Sequence, residues 1–499
     1  MEQNLLAVRV NESSFGYDIH SLVKAFYPEC EVKIFDRGEP GRASGEGFPE
    51  LEIDFAPDEI ALVLSPKEGG EVLKKGVELS DGLQRAEIKN RLKRLVYEAL
   101  SEFTGRMLPW GTLTGIRPVK IPMELLEKGK GQVEIAAYMR DVYYVSREKS
   151  LLSIEIAHRE REMLSSLHCR DGYSLYVGIP FCPTTCLYCS FTSFPIASWK
   201  KKIGDYLDAL EKEIDFVAES CGDKILDTVY IGGGTPTTLG EKELDRLLGR
   251  LRGSLDFTHV KEFTVEAGRA DSITREKLRV LKKWGVTRIS VNPQTMKEET
   301  LRLIGRQHTV EQVREAFALA REEGFDNINM DLILGLPGED DGDVAKTIEA
   351  VRELMPDSVT IHSLAVKRAS RLNQWISQGI NPLTDRADGA RKSGTERVME
   401  IASVGARSMG MKPYYLYRQK NMSGNLENVG FAAEGKYGIY NTLIMEDWQS
   451  IVALGAGSIS KRIFEDGRIE RCENVKDVAQ YMERIDEMIE RKRRLLILS

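Results

Sequence analysis

The stretch Tyr173-Ser-Leu-Tyr-Val-Gly-Ile-Pro-Phe-Cys182-Pro-Thr-Thr-Cys186-Leu-Tyr-Cys189 joins an apolar, strand-like run to three closely spaced cysteines. No fourth cysteine follows immediately. An iron–sulfur cube normally takes four protein ligands, so three thiolates leave one iron open, which is typical of a catalytic site. Pro183 argues against a continuous helix. We expect the segment to loop around a cluster just past a strand's carboxyl end, where enzymes built on parallel sheets keep their chemistry.

The same cysteine triplet also allows a zinc site. Zinc prefers four ligands in two short pairs, and His168-Cys169 just upstream could complete such a set. The other thiols are scattered singly, and by default they are interpreted as buried or incidental: Cys30, Cys169, Cys221 and Cys472. Seven cysteines, an odd number with three crowded together, argue against a disulfide framework and for a reducing compartment. We therefore expect a cytoplasmic protein.

The composition is that of a globular protein with more than one domain. The chain has 499 residues, of which 42% are hydrophobic and 29% charged. A formal net charge of -7 gives no sign of nucleic-acid binding. The first residues lack a basic region followed by an apolar one, so no secretory signal is predicted. No stretch approaches the roughly 20 apolar residues that a membrane span requires.

The first part of the chain reads as a separate α+β domain, assigned to residues 1–165. Short alternating segments at 5–10, 30–35, 51–55 and 60–64 predict strands, which we expect to be antiparallel. Apolar spacing predicts helices at 89–103 and, with a break, at 132–164. Nothing in this domain indicates a known chemistry.

Beyond residue 172 the pattern changes to strands that alternate with amphipathic helices. Strands are predicted at 173–179, 228–231, 262–266, 288–291, 327–332 and 358–362. This alternation indicates βαβ units and a parallel sheet. The fold class is therefore α/β, a partial (β/α)6-type barrel over residues 166–400. Residues 401–499 are expected to form a short extension that completes the barrel and its substrate side.

Polar or glycine-rich residues follow four successive predicted strands. Gly232-Gly-Gly-Thr-Pro-Thr237 lets the backbone approach a ligand closely and offers N–H groups to a carboxylate. Glu266 ends the third strand, Asn292-Pro-Gln294 follows the fourth, and Asp331 lies in the fifth. Each could instead cap the next helix, but their repetition at one rim of the sheet favours a binding site.

These motifs resemble those of the radical S-adenosylmethionine (SAM) superfamily. Within it, the chain resembles the oxygen-independent coproporphyrinogen III oxidase (dehydrogenase) family, which includes a haem-chaperone branch. The resemblance covers about residues 172–460, and residues 1–165, 414–420 and 425–429 resemble the extension of its HemZ-type branch. The matching segments, in order, are 176–182, 232–237, 265–266, 288–294, 304–306, 329–337 and 455–459.

The resemblance implies a [4Fe-4S] cluster held by Cys182, Cys186 and Cys189, whose open iron SAM chelates. It implies one or two bound SAM molecules. The implied SAM contacts are Tyr176, Tyr188, Gly233, Gly234, Thr235, Glu266, Gln294, Arg306, Asp331, Ala365 and Ile459. Carboxylates suit ribose hydroxyls or an ammonium, and the guanidinium of Arg306 suits a carboxylate.

The resemblance also implies a tetrapyrrole substrate and a low-potential electron donor such as a flavodoxin or ferredoxin. The implied reaction is oxidative decarboxylation of two propionates of coproporphyrinogen III, giving protoporphyrinogen IX in anaerobic haem biosynthesis. Four substrate carboxylates require cationic partners. The candidates are Lys367, Arg368, Arg418 and Lys420, with Tyr414, Tyr415 and Tyr417 offering hydroxyls and ring surface.

Two departures from the family pattern keep other functions open. Phe191 stands where the family's bacterial enzymes have a fourth cysteine, as in its chaperone-like members, and Gly178 stands where its oxidases have histidine. A haem-binding or trafficking protein is therefore an alternative, with His362 as a candidate axial ligand. Another radical reaction on a porphyrin, such as methyl transfer with ring opening, is a further alternative.

Overall fold

A computed structural model of the chain describes residues 5–28, 30–38, 43–45, 47–67, 69–380, 383, 394–419 and 426–498. The chain divides into two compact units. One comprises residues 1–157 and 416–427, and the other comprises residues 158–415 and 428–499. The division at residue 157 lies close to the predicted domain boundary at 165, whereas 416–427 group with the N-terminal unit rather than with the C-terminal extension.

The first unit contains a five-stranded sheet. The elements of this part of the chain are β1 (Leu5–Val10), α1 (Gly16–Phe26), β2 (Glu31–Asp36), β3 (Glu50–Phe55), β4 (Glu59–Ser65), β5 (Leu73–Glu78), α2 (Arg85–Thr104), α3 (Lys120–Glu127), α4 (Gln132–Tyr143) and α5 (Arg147–Ser165). The sheet order is β2-β1-β3-β4-β5.

The prediction of purely antiparallel strands in this region was wrong. Strand β1 pairs in parallel with both β2 and β3, while β3, β4 and β5 are antiparallel. A parallel pair requires a crossover connection, and α1, which the sequence analysis missed, supplies it. Its face of Ile19, Leu22, Val23 and Phe26 is buried. The alternation of apolar and polar residues along a strand indicates which face is buried, but it does not indicate whether the strand pairs in parallel or antiparallel with its neighbour.

The second unit is built on an eleven-stranded sheet. Its strands and the short pair β7–β8 are β6 (Gly172–Ile179), β7 (Phe181–Cys182), β8 (Phe194–Pro195), β9 (Ile225–Gly233), β10 (Glu262–Glu266), β11 (Arg288–Ser290), β12 (Ile328–Leu334), β13 (Ser358–Ser363), β14 (Lys412–Tyr417), β15 (Asn428–Ala432), β16 (Ser450–Leu454), β17 (Ile459–Ile463) and β18 (Ile469–Glu473).

Helices connect most of these strands. They are α6 (Ile196–Trp199), α7 (Ile203–Ser220), α8 (Glu241–Ser254), α9 (Arg275–Lys283), α10 (Glu298–Leu303), α11 (Val310–Glu322), α12 (Asp341–Leu354), α13 (Arg371–Ser377), α14 (Gly394–Ser408), α15 (Ile439–Met445), α16 (Val478–Glu483) and α17 (Ile485–Arg493). Helix α11 begins with a capping box, in which the side chains of Thr309 and Gln312 each accept a hydrogen bond from the other's backbone N–H.

Six strands, β6, β9, β10, β11, β12 and β13, lie side by side and parallel in chain order. All six were predicted within a few residues, and the predicted α/β partial barrel is confirmed. The later strands extend both edges, since β16 pairs in parallel with β6 and β15 pairs antiparallel with β13. The carboxyl ends of the parallel strands, including β16, therefore form one rim.

Candidate functional site: the rim of the parallel sheet

The cysteine loop leaves the carboxyl end of β6 and is fixed by backbone hydrogen bonds. Residues Phe181 and Cys182 pair with Phe194 and Pro195, which brings the two ends of the loop together. Inside the loop, the Leu187 N–H donates to the Ile304 carbonyl at 2.9 Å. All three thiols are free, with Cys186 buried and the other two half-buried.

The donor chemistry of the three thiols fits an iron–sulfur cluster. Among the described residues, no group of three His, Cys, Asp or Glu side chains is placed to hold one metal ion. In an iron–sulfur cube each thiolate binds a different iron, so the sulfurs need not converge on one point. Burial raises the pKa of Cys182, and it raises that of Cys189 to about 11. The thiols therefore bind a metal only with release of their protons.

The zinc interpretation of His168-Cys169 is wrong. The His168 Nδ1 lies 2.9 Å from a carboxylate oxygen of the buried Asp227, and its backbone N–H donates to the other oxygen at 2.9 Å. His168 precedes β6 and the cysteines follow it, so a strand of 8 residues, about 25 Å long, separates them.

The glycine turn after β9 packs directly against the cysteine loop. The N–H groups of Gly234 and Thr235 donate to the carbonyls of Ile179 and Phe181 at 2.8 and 2.7 Å. A Cβ at Gly234 would lie 2.5 Å from the Phe181 carbonyl oxygen, so only glycine fits. Gly233 has φ +108°, a conformation that favours glycine. The Thr235 hydroxyl lies 3.5 Å from the Cys182 sulfur.

Glu266 lies beside this turn at the end of β10. It accepts a 2.5 Å hydrogen bond from the Tyr230 hydroxyl. Burial raises the pKa of Glu266 to about 7, with Asp331 adding to the shift and Tyr230 opposing it. The Tyr230 ring stacks on that of Tyr440, with centroids 4.5 Å apart, and Tyr176 stacks alongside both. Together they form an aromatic wall next to a carboxylate.

Gln294, Asn292 and Asp331 form one hydrogen-bonded group at the ends of β11 and β12. Gln294 has φ +68°, which is uncommon for a residue other than glycine and is typical of functional sites. Its N–H donates to the Asp331 carbonyl at 3.0 Å, while the Asn292 side-chain oxygen accepts from the Asp331 N–H at 3.1 Å. The Asn329 amide donates to the Asp331 carboxylate at 2.7 Å.

Arg306 is a buried cation that faces the cysteine loop. Its guanidinium donates to the Asn292 carbonyl at 2.5 Å and to the Tyr188 hydroxyl at 3.3 Å. Its Nε has no hydrogen-bond partner among the described residues. Burial acts to lower the pKa of Arg306, but Tyr188 and Cys186 outweigh it and raise that pKa. A buried N–H without a partner fits a bound carboxylate.

The remaining predicted SAM contacts lie on the same rim but make no side-chain bonds to the group above in the described structure. Ala365 is half-buried, two residues after β13, and Ile459 begins β17 with 46% of its surface exposed. The turn before Ile459 does reach the rim. A Cβ at Gly455 would lie 2.3 Å from the Gly178 carbonyl oxygen.

The predicted substrate cations separate into two groups. Lys367 and Arg368 follow β13, and neither side chain has an ion-pair partner among the described residues. Arg418 is 4% exposed and belongs to the first unit, where it donates to the Leu113 carbonyl at 2.6 Å. It is therefore engaged there and is a poor candidate for a substrate ligand. Lys420 lies outside the described residues.

The tyrosines predicted to contact the substrate differ in burial. Tyr414 and Tyr415 are buried, with ring centroids 4.9 Å apart, and Tyr417 is half-buried. Sequence reasoning missed Tyr230 and Tyr440 as parts of the rim. Tyr230 lies inside a predicted strand, two residues before the glycine turn, so its position was a usable signal, whereas no local pattern marks Tyr440.

Comparisons with known proteins decide the family. Residues 176–351 match the Radical SAM superfamily. The chain is 36% identical over 496 residues to the oxygen-independent coproporphyrinogen-III oxidase-like protein HemZ of Bacillus subtilis, across 97% of this chain and 96% of that protein. The chain belongs to the HemZ family. This HemZ-family protein is a radical SAM enzyme, and the superfamily implies a [4Fe-4S] cluster and SAM.

The chain is also similar to two proteins whose named functions differ, a heme chaperone and an oxidase. The HemZ-family chain is 38% identical over 207 residues to the heme chaperone HemW of Bacillus subtilis, across 41% of this chain and 54% of that protein. The structure of coproporphyrinogen III oxidase (HemN) from Escherichia coli shares the fold, with a TM-score of 0.51 at 23% identity, across 67% of this chain and 73% of that chain. In the described part of the chain, no helix combines the length and apolar character needed to cross a bilayer.

Proposed function

We propose that this protein oxidatively decarboxylates two propionate side chains of coproporphyrinogen III to give protoporphyrinogen IX. Each propionate loses CO2, one hydrogen atom and one further electron, which a one-electron acceptor takes up, and becomes a vinyl group. The proposal is supported by the full-length similarity to the HemZ protein and by a rim that combines three thiols with Lys367 and Arg368, two cations that have no ion-pair partner in the described part of the chain. We further propose a cytoplasmic location and a flavodoxin or ferredoxin as electron donor.

In this proposal Cys182, Cys186 and Cys189 hold the [4Fe-4S] cluster. When bound, the cluster would supply the one electron that cleaves SAM, and this cleavage would yield a carbon-centred radical able to take a hydrogen atom from the substrate. The protein's own task is to position the reactants and to exclude water. The cysteine loop would hold the cluster and the glycine turn would bind SAM, and the two segments are joined by the hydrogen bond from the Thr235 N–H to the Phe181 carbonyl.

The surrounding side chains are proposed to bind SAM. Glu266, with its pKa near 7, can accept a hydrogen bond from a ribose hydroxyl or pair with an ammonium, and the Arg306 Nε–H, which has no partner in the described structure, can donate to a carboxylate. The flat faces of Tyr176 and Tyr230 suit an aromatic base or a pyrrole ring. One or two SAM molecules fit this proposal, with Gln294, Asp331, Ala365 and Ile459 as the further contacts.

Lys367 and Arg368 are proposed to bind propionates. Burial lowers the pKa of Lys367, which leaves a half-buried ammonium that gains from a carboxylate partner. Two cations serve two of the four carboxylates of the substrate. The double variant Lys367→Met/Arg368→Gln should therefore raise the KM for coproporphyrinogen III while leaving the affinity for SAM unchanged.

A haem-trafficking role is the second candidate, and Phe191 favours it. This side chain is 77% exposed at the position where the family's oxidases carry a cysteine. His362, the proposed axial ligand, lies 3.9 Å from the Asp331 carboxylate. Stoichiometric haem binding whose Soret band is lost in His362→Ala would support this role.

The two candidates differ in how SAM cleavage responds to substrate. Under oxygen-free conditions, the decarboxylase forms 5′-deoxyadenosine faster when coproporphyrinogen III is added. A trafficking protein binds haem without substrate-dependent cleavage, so equal rates with and without coproporphyrinogen III would contradict the decarboxylase.

A further inference from the structure

Arg269 is a buried arginine that contacts the cysteine loop from the end of β10. Its side chain is 3% exposed. The Nη1 atom donates to the Thr184 hydroxyl at 2.7 Å and to the Thr184 carbonyl at 3.2 Å. The Nε and Nη2 atoms donate to the two carboxylate oxygens of Asp271 at 3.0 and 2.7 Å. The guanidinium thus bridges the loop and a carboxylate, using the fork geometry that lysine lacks.

Thr184 lies between the first two cysteines, so its contacts control the shape of the loop. Its hydroxyl, while accepting from Arg269, donates to the Gly305 carbonyl at 2.9 Å. Gly305 immediately precedes Arg306. The middle of the loop is therefore fixed between β10 and the segment after α10 by a chain of three hydrogen-bonded residues.

The charges of this group are ordered, since the Arg269 guanidinium bonds to Thr184 of the cysteine loop and Asp271 bonds to that guanidinium. Burial would also raise the pKa of Asp271, but His308 and Arg269 outweigh it and hold that pKa well below its usual range. Asp271 is thus ionised, with Arg269 between it and the loop.

His308 lies beside the Arg269–Asp271 pair and adds no positive charge to it. Its Nδ1 lies 3.8 Å from the Asp271 carboxylate, and neither ring nitrogen has a hydrogen-bond partner among the described residues. Burial lowers the pKa of His308, which favours the neutral ring. The cluster site therefore faces a cation backed by an anion.

We propose that Arg269 is a positioning residue that clamps the cysteine loop through Thr184, and that the Arg269–Asp271 pair sets the reduction potential of the iron–sulfur cluster. Reduction adds negative charge to the cluster. A buried cation stabilises the reduced form and raises the potential, and a buried anion does the opposite. The inference rests on the proposed cluster ligation and is independent of the tetrapyrrole.

Removing the charge of Arg269 and removing that of Asp271 should therefore shift the midpoint potential of the cluster in opposite directions. In Arg269→Met the midpoint potential falls below that of the parent, and in Asp271→Asn it rises above it. Arg269→Lys keeps the charge but loses the fork, so its potential stays closer to the parent than that of Arg269→Met, while its iron content falls. The measurement is iron per chain and an electron paramagnetic resonance redox titration of the reconstituted full-length protein with dithionite, without SAM or substrate.

Matched controls use ion pairs of the same chemistry away from the loop. Arg275→Met removes a guanidinium that pairs with Glu322 and Glu323, and Asp245→Asn removes a carboxylate that pairs with Lys283. Both should leave the potential unchanged. If Arg269→Met takes up no cluster, the clamp is supported, and Arg269→Lys and Asp271→Asn decide the electrostatic part.

Shifts of the same sign in Arg269→Met and Asp271→Asn, or no shift at full iron content, would overturn the inference. A parent protein that takes up no cluster would overturn the proposed function together with it. A parent with a normal cluster but no SAM cleavage would contradict the proposed function alone.

Discussion

The hydroxyl of Tyr230 donates a 2.5 Å hydrogen bond to the carboxylate of Glu266, across the neighbouring parallel strands β9 and β10. The bond closes over Gly232, where a Cβ would lie 3.1 Å from the Glu266 carboxyl carbon. It links the aromatic wall of the rim to the carboxylate proposed to bind SAM. Because burial raises the pKa of this carboxyl to about 7, its ionisation changes near neutral pH.

SAM binding should depend on pH through Glu266. If the ionised carboxylate binds SAM, affinity falls as pH decreases through about 7. Tyr230→Phe removes a bond that lowers this pKa, so the midpoint of the binding curve moves to higher pH. Calorimetric titration of SAM into the reconstituted protein between about pH 6 and pH 8 measures it. An unchanged midpoint in Tyr230→Phe would contradict the role given to Glu266.

The Glu266 carboxyl also makes the stability of the folded chain depend on pH, with a sign opposite to that of SAM binding. Its pKa in the folded chain lies above its ordinary value of 4.5, so its stabilising effect is present below about pH 4.5 and is lost as pH rises through about 7. Glu266→Gln should therefore melt at a higher temperature than the parent at pH 8, with the difference shrinking towards pH 5. Thermal unfolding of the cluster-free protein at several pH values measures the effect, and a difference independent of pH would refute it.

Gly234→Ala should separate the glycine turn from the cysteine loop. The added Cβ would meet backbone atoms of Phe181 at 2.5 and 2.9 Å, and backbone cannot swing aside. We expect a loss of about 1–3 kcal/mol in unfolding free energy and at least about tenfold weaker SAM binding. The control is Gly253→Ala in α8, where nothing lies within 4 Å of the new Cβ. A helical alanine there should be neutral or stabilising.

The turn at Gly455 depends on a buried ion pair. Glu213 accepts from the Gly455 N–H at 2.7 Å and pairs with Lys492 at 2.5 Å, and both charged side chains are 1% exposed or less. Lys492→Met leaves the carboxylate buried without its cation, which should cost about 3–5 kcal/mol of unfolding free energy.

Denaturant unfolding of Lys492→Met should be compared with that of Arg491→Met. Arg491 pairs with Glu487 at the surface, with side chains 38% and 44% exposed, and its removal should cost about 0–1 kcal/mol. Similar losses in the two variants would show that the buried pair does not hold the turn.

The barrel was predictable because its strands carry local signals. Buried parallel strands are apolar on both faces, and the glycine turn, Glu266 and Gln294 each lie at or just after the end of such a strand. Chain order then places them on one rim. The direction of β1 relative to β2 was not predictable in this way, because pairing direction depends on a helix whose packing partners are distant in sequence.

Contacts between distant segments account for the rest of what was missed. Tyr440 stacks on Tyr230 across 210 positions, and the Arg269 guanidinium reaches Thr184 across 85. A buried arginine and an exposed one look alike in sequence, so only the fold reveals that Arg269 contacts the cysteine loop and that Arg418 is engaged in the first unit.

The most direct test of the proposed function follows the mass of the tetrapyrrole in an oxygen-free reaction of reconstituted protein, SAM, dithionite and coproporphyrinogen III. Cys186→Ala is the inactive control, and Cys221→Ala, which changes a buried thiol at the end of α7, should keep full activity. We predict a product that has lost two CO2 and four hydrogen atoms, formed together with 5′-deoxyadenosine. An unchanged porphyrinogen in the presence of an intact cluster and bound SAM would contradict the decarboxylase.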